Sequence, residues 1–151
     1  MSIPAGKARI EGKTLTSDDI LADLKRFMME NNTGYFCLTI KGKYGIEEGL
    51  LVIENGSLIG ARYEYLKIKK EYHAGEGLKR TLNAFFAESG IYDCYELTVQ
   101  QIELLKIFNE DLLFLEPITL QSLEGMIPVE FSPAFEEEAM ATKEELSLIH
   151  I

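Results

Sequence analysis

Residues 34–63 read as short strands joined by tight turns, and the first strand shows the alternation of apolar and polar side chains that is typical of a half-buried β-strand, whereas the second is nearly all apolar after Gly49. The first strand of this stretch places Phe36, Leu38 and Ile40 on one face. Because successive side chains of a strand point to opposite sides, these three residues are predicted to face a hydrophobic core. The other elements of the chain are expected to cover this stretch.

Two turns divide the stretch into three antiparallel strands, which form a β-meander. A turn at residues 41–45, rich in glycine and lysine, leads into a second strand over residues 46–53. Asn55 and Gly56 then lead into a third strand over residues 58–63. Asn-Gly favours the two positive φ angles of a type I′ turn, whose twist suits an antiparallel hairpin. A tight hairpin is therefore predicted at Asn55 and Gly56.

Apolar residues at helical spacing predict three helices, at about residues 18–30, 77–89 and 99–109. A capping box formed by Thr98 and Gln101 marks the start of the third helix. Alternation predicts a further strand over residues 91–97. The side of the third helix that packs on the sheet is predicted to carry Val99, Ile102, Leu105 and Phe108, with Leu104 alongside. These elements together predict an α+β fold.

Four segments have weaker patterns. Residues 1–16 indicate an extended lead-in or an edge strand, and residues 64–74 a loop or a partly helical connection. Residues 112–118 are apolar, but Pro117 restricts them to an edge strand or a loop. Residues 119–126 are predicted to form a short last helix.

The chain is expected to contain one α+β domain over residues 1–126. Residues 127–145 contain many glutamates and are predicted to be an acidic linker or tail. Residues 146–151, Leu-Ser-Leu-Ile-His-Ile, match the translation of an adapter used to prepare sequencing libraries. We interpret them as a non-native end of a metagenomic fragment, and we expect the natural protein to continue beyond Glu145.

The composition favours a globular protein and disfavours several partners. Among the 151 residues, 46% are hydrophobic, and the net charge is −10. Binding of nucleic acid or of an anionic membrane requires clustered Lys and Arg, so neither partner is expected. No stretch approaches the roughly 20 apolar residues of a membrane helix. With two cysteines and no secretory signal, the protein is expected to be cytoplasmic.

Residues that could carry out catalysis are few. His73 lies in a segment without a clear pattern, and a histidine base needs both an orienting partner and a nucleophile. The sequence contains no nucleophile elbow, zinc-protease, phosphate-loop or paired-cysteine motif. Cys37 and Cys94 are expected to be reduced and half-buried. No metal site and no cofactor are predicted.

Glu47 and Glu48 form an adjacent pair of carboxylates in the second strand of the meander. Neighbouring side chains of a strand face opposite sides, so only one of the two can point toward the core. There it is expected to meet Arg62 of the paired strand. A structural or solvated role is favoured, and a metal-binding or acid–base role is the alternative.

Several features of the chain resemble an archaeal family of domains of unknown function, which is itself similar to the PATAN-type modules of bacterial response regulators. The resemblance covers roughly residues 1–126 and rests on structural motifs. The matching motifs are Thr33-Gly34-Tyr35, Glu47-Glu48-Gly49, Asn55-Gly56, Gly75-Glu76, Tyr92-Asp93 and Tyr95-Glu96-Leu97. The resemblance implies a protein-interaction or regulatory role and assigns no catalytic residue.

We therefore expect a non-catalytic module that binds a protein partner. Aromatic residues and arginine are enriched in binding hot spots. The predicted interaction surface consists of Tyr35, Tyr44, Arg62, Tyr63, Tyr65 and Tyr72. One alternative is a small-ligand sensor, in which Arg62 or Lys70 holds an anion or metabolite between the meander and the helix after Gly77. A weaker alternative is an enzyme that uses Glu47 or Glu48.

Overall fold

A computed structural model describes residues 3–141 of the chain. This part forms one seven-stranded antiparallel sheet and five α-helices, which confirms the predicted α+β class. The strands are β1 (Lys7–Thr14), β2 (Gly34–Gly42), β3 (Gly45–Glu54), β4 (Ser57–Tyr65), β5 (Lys70–His73), β6 (Gly90–Glu96) and β7 (Leu113–Ile118). The helices are α1 (Ser17–Met29), α2 (Ala74–Ala84), α3 (Val99–Phe108), α4 (Leu120–Glu124) and α5 (Ala134–Met140).

The meander is the centre of the sheet, as its alternating pattern predicts. The strand order is β1-β6-β2-β3-β4-β5, and β7 pairs with another part of β4. The hairpin between β3 and β4 turns at Asn55 and Gly56, whose φ angles are +48° and +81°. A β-carbon at Gly56 would also lie 2.5 Å from the carbonyl oxygen of Met28. The turn therefore requires glycine both for its backbone angles and for its packing against α1.

Helices cover both faces of the sheet. The larger hydrophobic cluster joins one face to residues of α1, α2, α4 and α5, and the smaller cluster joins the other face to α3. Phe36, Leu38 and Ile40 lie in the larger cluster, as predicted. The capping box of Thr98 and Gln101 is present at the start of α3.

The structure corrects the prediction for α3. Ile102 and Leu105 are buried, whereas Val99, Leu104 and Phe108 are exposed. The helix is apolar around most of its circumference, so its pattern alone does not determine which side faces the sheet.

Residues 64–74 are more regular than a loop. They contain a short 3-10 turn, Leu66–Ile68, and strand β5, which pairs with the end of β4. Lys69 makes the reversal possible by taking a left-handed backbone conformation with φ +53°. Residues 7–14 form edge strand β1, and β7 includes Pro117.

The segment predicted as an acidic linker is partly helical in its described portion. Within residues 127–141, α5 packs on the domain and buries Glu136 and Ala139. Residues 146–151, interpreted above as adapter-derived, lie outside the described residues. In the part of the chain that the structure describes, no helix has the length and apolar character needed to cross a membrane.

Candidate functional site

A buried carboxyl group lies on strand β3. Glu47 shares a face of the strand with Leu51 and is only 3% exposed. Its Oε1 atom accepts a hydrogen bond of 2.7 Å from the hydroxyl group of Tyr63 on β4. The Oε2 atom is also buried, and no described residue donates a hydrogen bond to it. Such an atom requires a physical explanation, because burying an unpaired carboxylate is costly.

The explanation is a second carboxyl group, contributed by α5. Glu136 lies beside Glu47, since a β-carbon at Gly42 would overlap Oε2 of Glu47 and stand 3.1 Å from Oε1 of Glu136. Two neighbouring carboxylates repel each other when both are ionised, so this arrangement favours a proton on Glu47. Burial and the charge of Glu136 raise the pKa of Glu47 to about 7, against the opposing effect of the Tyr63 hydrogen bond. We call Glu47, Tyr63 and Glu136 the carboxyl cluster.

The turn between β2 and β3 completes the surroundings of this cluster. The backbone N–H of Lys43 donates a hydrogen bond of 3.2 Å to Oε2 of Glu136. A β-carbon at Gly42 would overlap Oε2 of Glu47, so the close approach of the carboxyl group depends on glycine at this position.

Arg80 of α2 is the second buried charged group under α5. Its side chain is 1% exposed. The guanidinium donates hydrogen bonds to Oε1 of Glu76, at 3.1 Å, and to Oε1 of Glu138, at 2.8 Å. It lies 3.5 Å from the ring centroid of Tyr72 and 5.2 Å from that of Phe135. Two carboxylates and two aromatic rings therefore compensate the cost of burying this charge.

A third polar contact connects the same regions. The side chain of Asn83 donates a hydrogen bond of 3.0 Å to the carbonyl oxygen of Ser132 and accepts one of 2.8 Å from its N–H. The amide of Asn83 thus binds the backbone of the residue that precedes α5 by two positions. We call residues 132–140 the α5 segment.

The structure does not bring the six predicted interaction residues to one exposed surface. Tyr63 and Tyr65 are buried in the larger cluster. Tyr35 is buried on the opposite face and donates a hydrogen bond to the carbonyl oxygen of Pro4. Tyr44 and Tyr72 are partly buried.

Arg62, the sixth of these residues, does not meet Glu47. Its side chain donates hydrogen bonds of 3.4 Å to Glu64 and to Glu71. The expected contact between Arg62 and Glu47 is therefore wrong. The register of β3 and β4 pairs Glu47 with Tyr65 and Leu50 with Arg62. Because side chains of a strand alternate between faces, Arg62 and Glu47 lie on opposite faces of the sheet.

A cavity of about 410 Å³ lies on the sheet face that carries Arg62. It is lined by the N-terminal residues Ile3, Ala5 and Gly6 and by Tyr35, Cys37, Leu50, Arg62, Asp93 and Tyr95. Asp93 in the wall, and the two glutamates already bound to Arg62, oppose the binding of an anion here. The sensor pocket is predicted on the other face, where a cavity of about 520 Å³ lies between the turn after β2 and the end of α2, with Lys43 and Phe86 but neither Arg62 nor Lys70 in its lining.

Other reactive side chains form no convergent set in residues 3–141. His73 contacts the carboxylates of Glu71, at 2.9 Å, and Asp111, at 3.5 Å. Within this range no three His, Cys, Asp or Glu residues are placed to hold a metal ion. Cys37 and Cys94 are free, and burial raises their pKa values to about 11 and about 12, so both thiols are protonated at neutral pH.

The outer side of α3 is an exposed apolar surface. Ile107 and Phe108 lie three and four residues after Leu104, and all three side chains are exposed. We call these three residues the α3 patch. They are the exposed counterpart of Ile102 and Leu105, which pack on the sheet.

Sequence analysis did not identify Arg80, Glu136 or the α3 patch. Arg80 lies three residues after Gly77 and four before Ala84, both buried, so helical spacing placed it on the inner side of α2. In the acidic segment, Phe131, Phe135 and Ala139 recur every four residues, which is the pattern of a helix that packs on one side.

The protein is a three-layer α+β domain. Helix α5 covers a buried polar cluster on one side of the sheet, and α3 presents apolar side chains to solvent on the other. The chain belongs to the family described as "Uncharacterized protein conserved in archaea (DUF2226)", whose model matches residues 1–109. The comparison with curated proteins and the comparison with solved structures each gave no match.

Proposed function

We propose that this domain is a non-catalytic protein-interaction module that binds a partner protein through the α3 patch. The observation that carries the proposal is the exposure of three large apolar side chains on one side of a single helix. Leu104, Ile107 and Phe108 are 48%, 62% and 67% exposed. Contiguous apolar patches of this kind mark interaction sites on soluble domains.

The surroundings of the patch define the chemistry of the partner. Glu103 lies within the exposed side of α3, and Glu110 and Asp111 lie two and three residues after Phe108. The nearby cation, Lys106, already pairs with Glu54 and Glu103. The fitting partner therefore presents an apolar surface with basic residues at its rim. A second copy fits less well, because each chain carries a net charge of −10.

A regulatory role is what a similarity of the archaeal family to PATAN-type modules implies. It is also consistent with the state of Glu47, the residue of the enzymatic alternative. That carboxyl group is only 3% exposed and lies between Tyr63 and Glu136, so direct access of a substrate to it is restricted while α5 is in place. An interaction role does not need such access.

The proposal is tested by affinity capture of partners from an archaeon that encodes this chain. The bait is the full chain, compared with the variant Ile107→Ser/Phe108→Ser. We expect the wild type to retain one stoichiometric protein, which the variant loses. The purified partner should then bind the wild type at least tenfold more tightly than the variant in isothermal titration calorimetry.

Met29→Ser provides the matched control, because Met29 is an exposed apolar residue at the end of α1. This control should retain the partner. Equal capture by the wild type and the α3 variant would overturn the proposal. A dimer of the wild type that dissociates in the α3 variant, seen by sedimentation, would show that the patch binds a second copy instead.

A further inference from the structure

The surface beneath the α5 segment has the features of a recognition groove. Its walls supply a buried guanidinium stacked on one aromatic ring, a side-chain amide that binds backbone, and a backbone N–H of an exposed turn. These groups belong to Arg80, Tyr72, Asn83 and Lys43, and each contacts the α5 segment directly or through Arg80. We call this surface the α5 groove.

We propose that the α5 groove is a second protein-binding site, which recognises an acidic helix carrying the sequence Phe-Glu-x-Glu on a partner protein. The chain's own α5 segment occupies the groove and is displaced when that partner binds.

The division of the chain supports this assignment. All groove residues lie within residues 1–109, the part that matches the family model, whereas the α5 segment begins at residue 132. The part of the chain that matches the family model thus supplies the groove residues, and the α5 segment lies outside that part. A groove that is complete without its occupant can accept another chain that offers the same chemistry.

The bound segment shows what the groove selects. Phe135 lies against the guanidinium of Arg80, and Glu138 forms an ion pair with it at 2.8 Å. Glu136, between them, accepts the N–H of Lys43. The backbone before the helix pairs with Asn83. An aromatic residue and two glutamates at these positions on one helix therefore define the ligand, with charge complementary to Arg80.

The α5 segment is also easily displaced. Its helix has seven residues, which is far below the length at which an isolated helix is stable in water. A partner helix with the same contacts but greater length would compete effectively, since it is ordered at lower cost.

The test uses a fluorescent peptide with the sequence of residues 129–141 and the full-length chain. The variant Phe135→Ala/Glu138→Gln weakens the internal contact. We expect this variant to bind the peptide at least tenfold more tightly than the wild type in fluorescence anisotropy. Adding Asn83→Ala should reduce that binding at least fivefold, with an unchanged circular dichroism spectrum. Glu137→Gln, at an exposed position of the same helix, should behave as wild type.

Hydrogen exchange provides the second measurement. In the wild type, the amides of α5 should exchange at least tenfold faster than those of α2. Equal protection of the two helices would overturn the proposal, as would weak binding of the peptide to the loosened variant. Dimers in which two copies exchange their α5 helices would show that the groove binds a second copy of the chain, and this result would also overturn the proposal. None of these results depends on the α3 patch, so the two proposals fail independently.

Discussion

The hydroxyl group of Tyr63 donates a hydrogen bond of 2.7 Å to Oε1 of Glu47, across adjacent strands and within the core. This pair lies beneath α5, where Glu136 approaches the other oxygen of the same carboxyl group. A buried acid thus has one neutral donor and one acidic neighbour. Its protonation state therefore couples the stability of the domain to the position of α5.

Stability should decrease as the pH rises from about 4.5 to about 7. The pKa of Glu47 is raised from 4.5 to about 7 in the folded protein, mainly by burial. In this window the folded state retains a proton that the unfolded state has lost, so the free energy of unfolding falls by on the order of 1 kcal/mol per pH unit. Urea denaturation at several pH values measures this slope.

Glu47→Gln should abolish this slope, because the amide does not titrate and can donate a hydrogen bond to Glu136. Glu48→Gln is the matched control on the opposite face of the strand, and its slope should equal that of the wild type. Identical slopes for Glu47→Gln and the wild type would show that Glu47 is ionised in the folded protein at all these pH values.

Asp23 should produce the opposite dependence. Burial alone raises the pKa of this carboxyl group, but hydrogen bonds from Lys13 and Tyr92 outweigh it, and the pKa is lowered from 3.8. Its contribution is therefore present above pH 3.8 and is lost as the pH falls through the folded value. Asp23→Asn should lower the free energy of unfolding by about 2 kcal/mol at pH 7. The difference from wild type should shrink in acid denaturation below pH 3.8.

Gly34→Ala should destabilise the sheet by about 3 kcal/mol, because strands β2 and β6 approach closely there. A β-carbon at Gly34 would overlap the carbonyl oxygen of Tyr95, which belongs to the backbone and cannot move aside. Gly75→Ala is the control, since nothing lies within 4 Å of a β-carbon at that position of α2. The control should be neutral or stabilising by up to about 1 kcal/mol in thermal denaturation.

Arg80→Lys should loosen the α5 segment although it preserves the charge. An ammonium group cannot reproduce the planar contact with Tyr72 or the simultaneous hydrogen bonds to Glu76 and Glu138. We expect a loss of roughly 2 kcal/mol and faster hydrogen exchange in α5. Lys79→Arg, on the exposed side of α2, should change neither quantity. Unaltered exchange in Arg80→Lys would show that Asn83 and the carboxyl cluster suffice to hold the segment.

The sequence determined the elements whose signals are local. The meander follows from the alternation in its first strand and the apolar run in its second, and the hairpin from the positive φ angles that Asn55 and Gly56 adopt readily. The capping box of Thr98 and Gln101 involves residues three positions apart. Each of these signals requires only the chemistry of near neighbours, so a pattern along the chain reveals it.

Only the tertiary structure decided which polar residues lie inside. The bond from Lys43 to Glu136 joins residues 93 positions apart, and nothing near Glu136 in the sequence specifies that contact. Tyr63 is predicted to belong to an interaction surface, but it lies in the core, where it binds Glu47. Alternation showed that Glu47 and Glu48 face opposite sides, but the packing of α2 and α5 on one face determined that Glu47 is the buried one. Burial is a property of distant segments brought together, so the candidate sites emerged from the packing of the helices on the sheet.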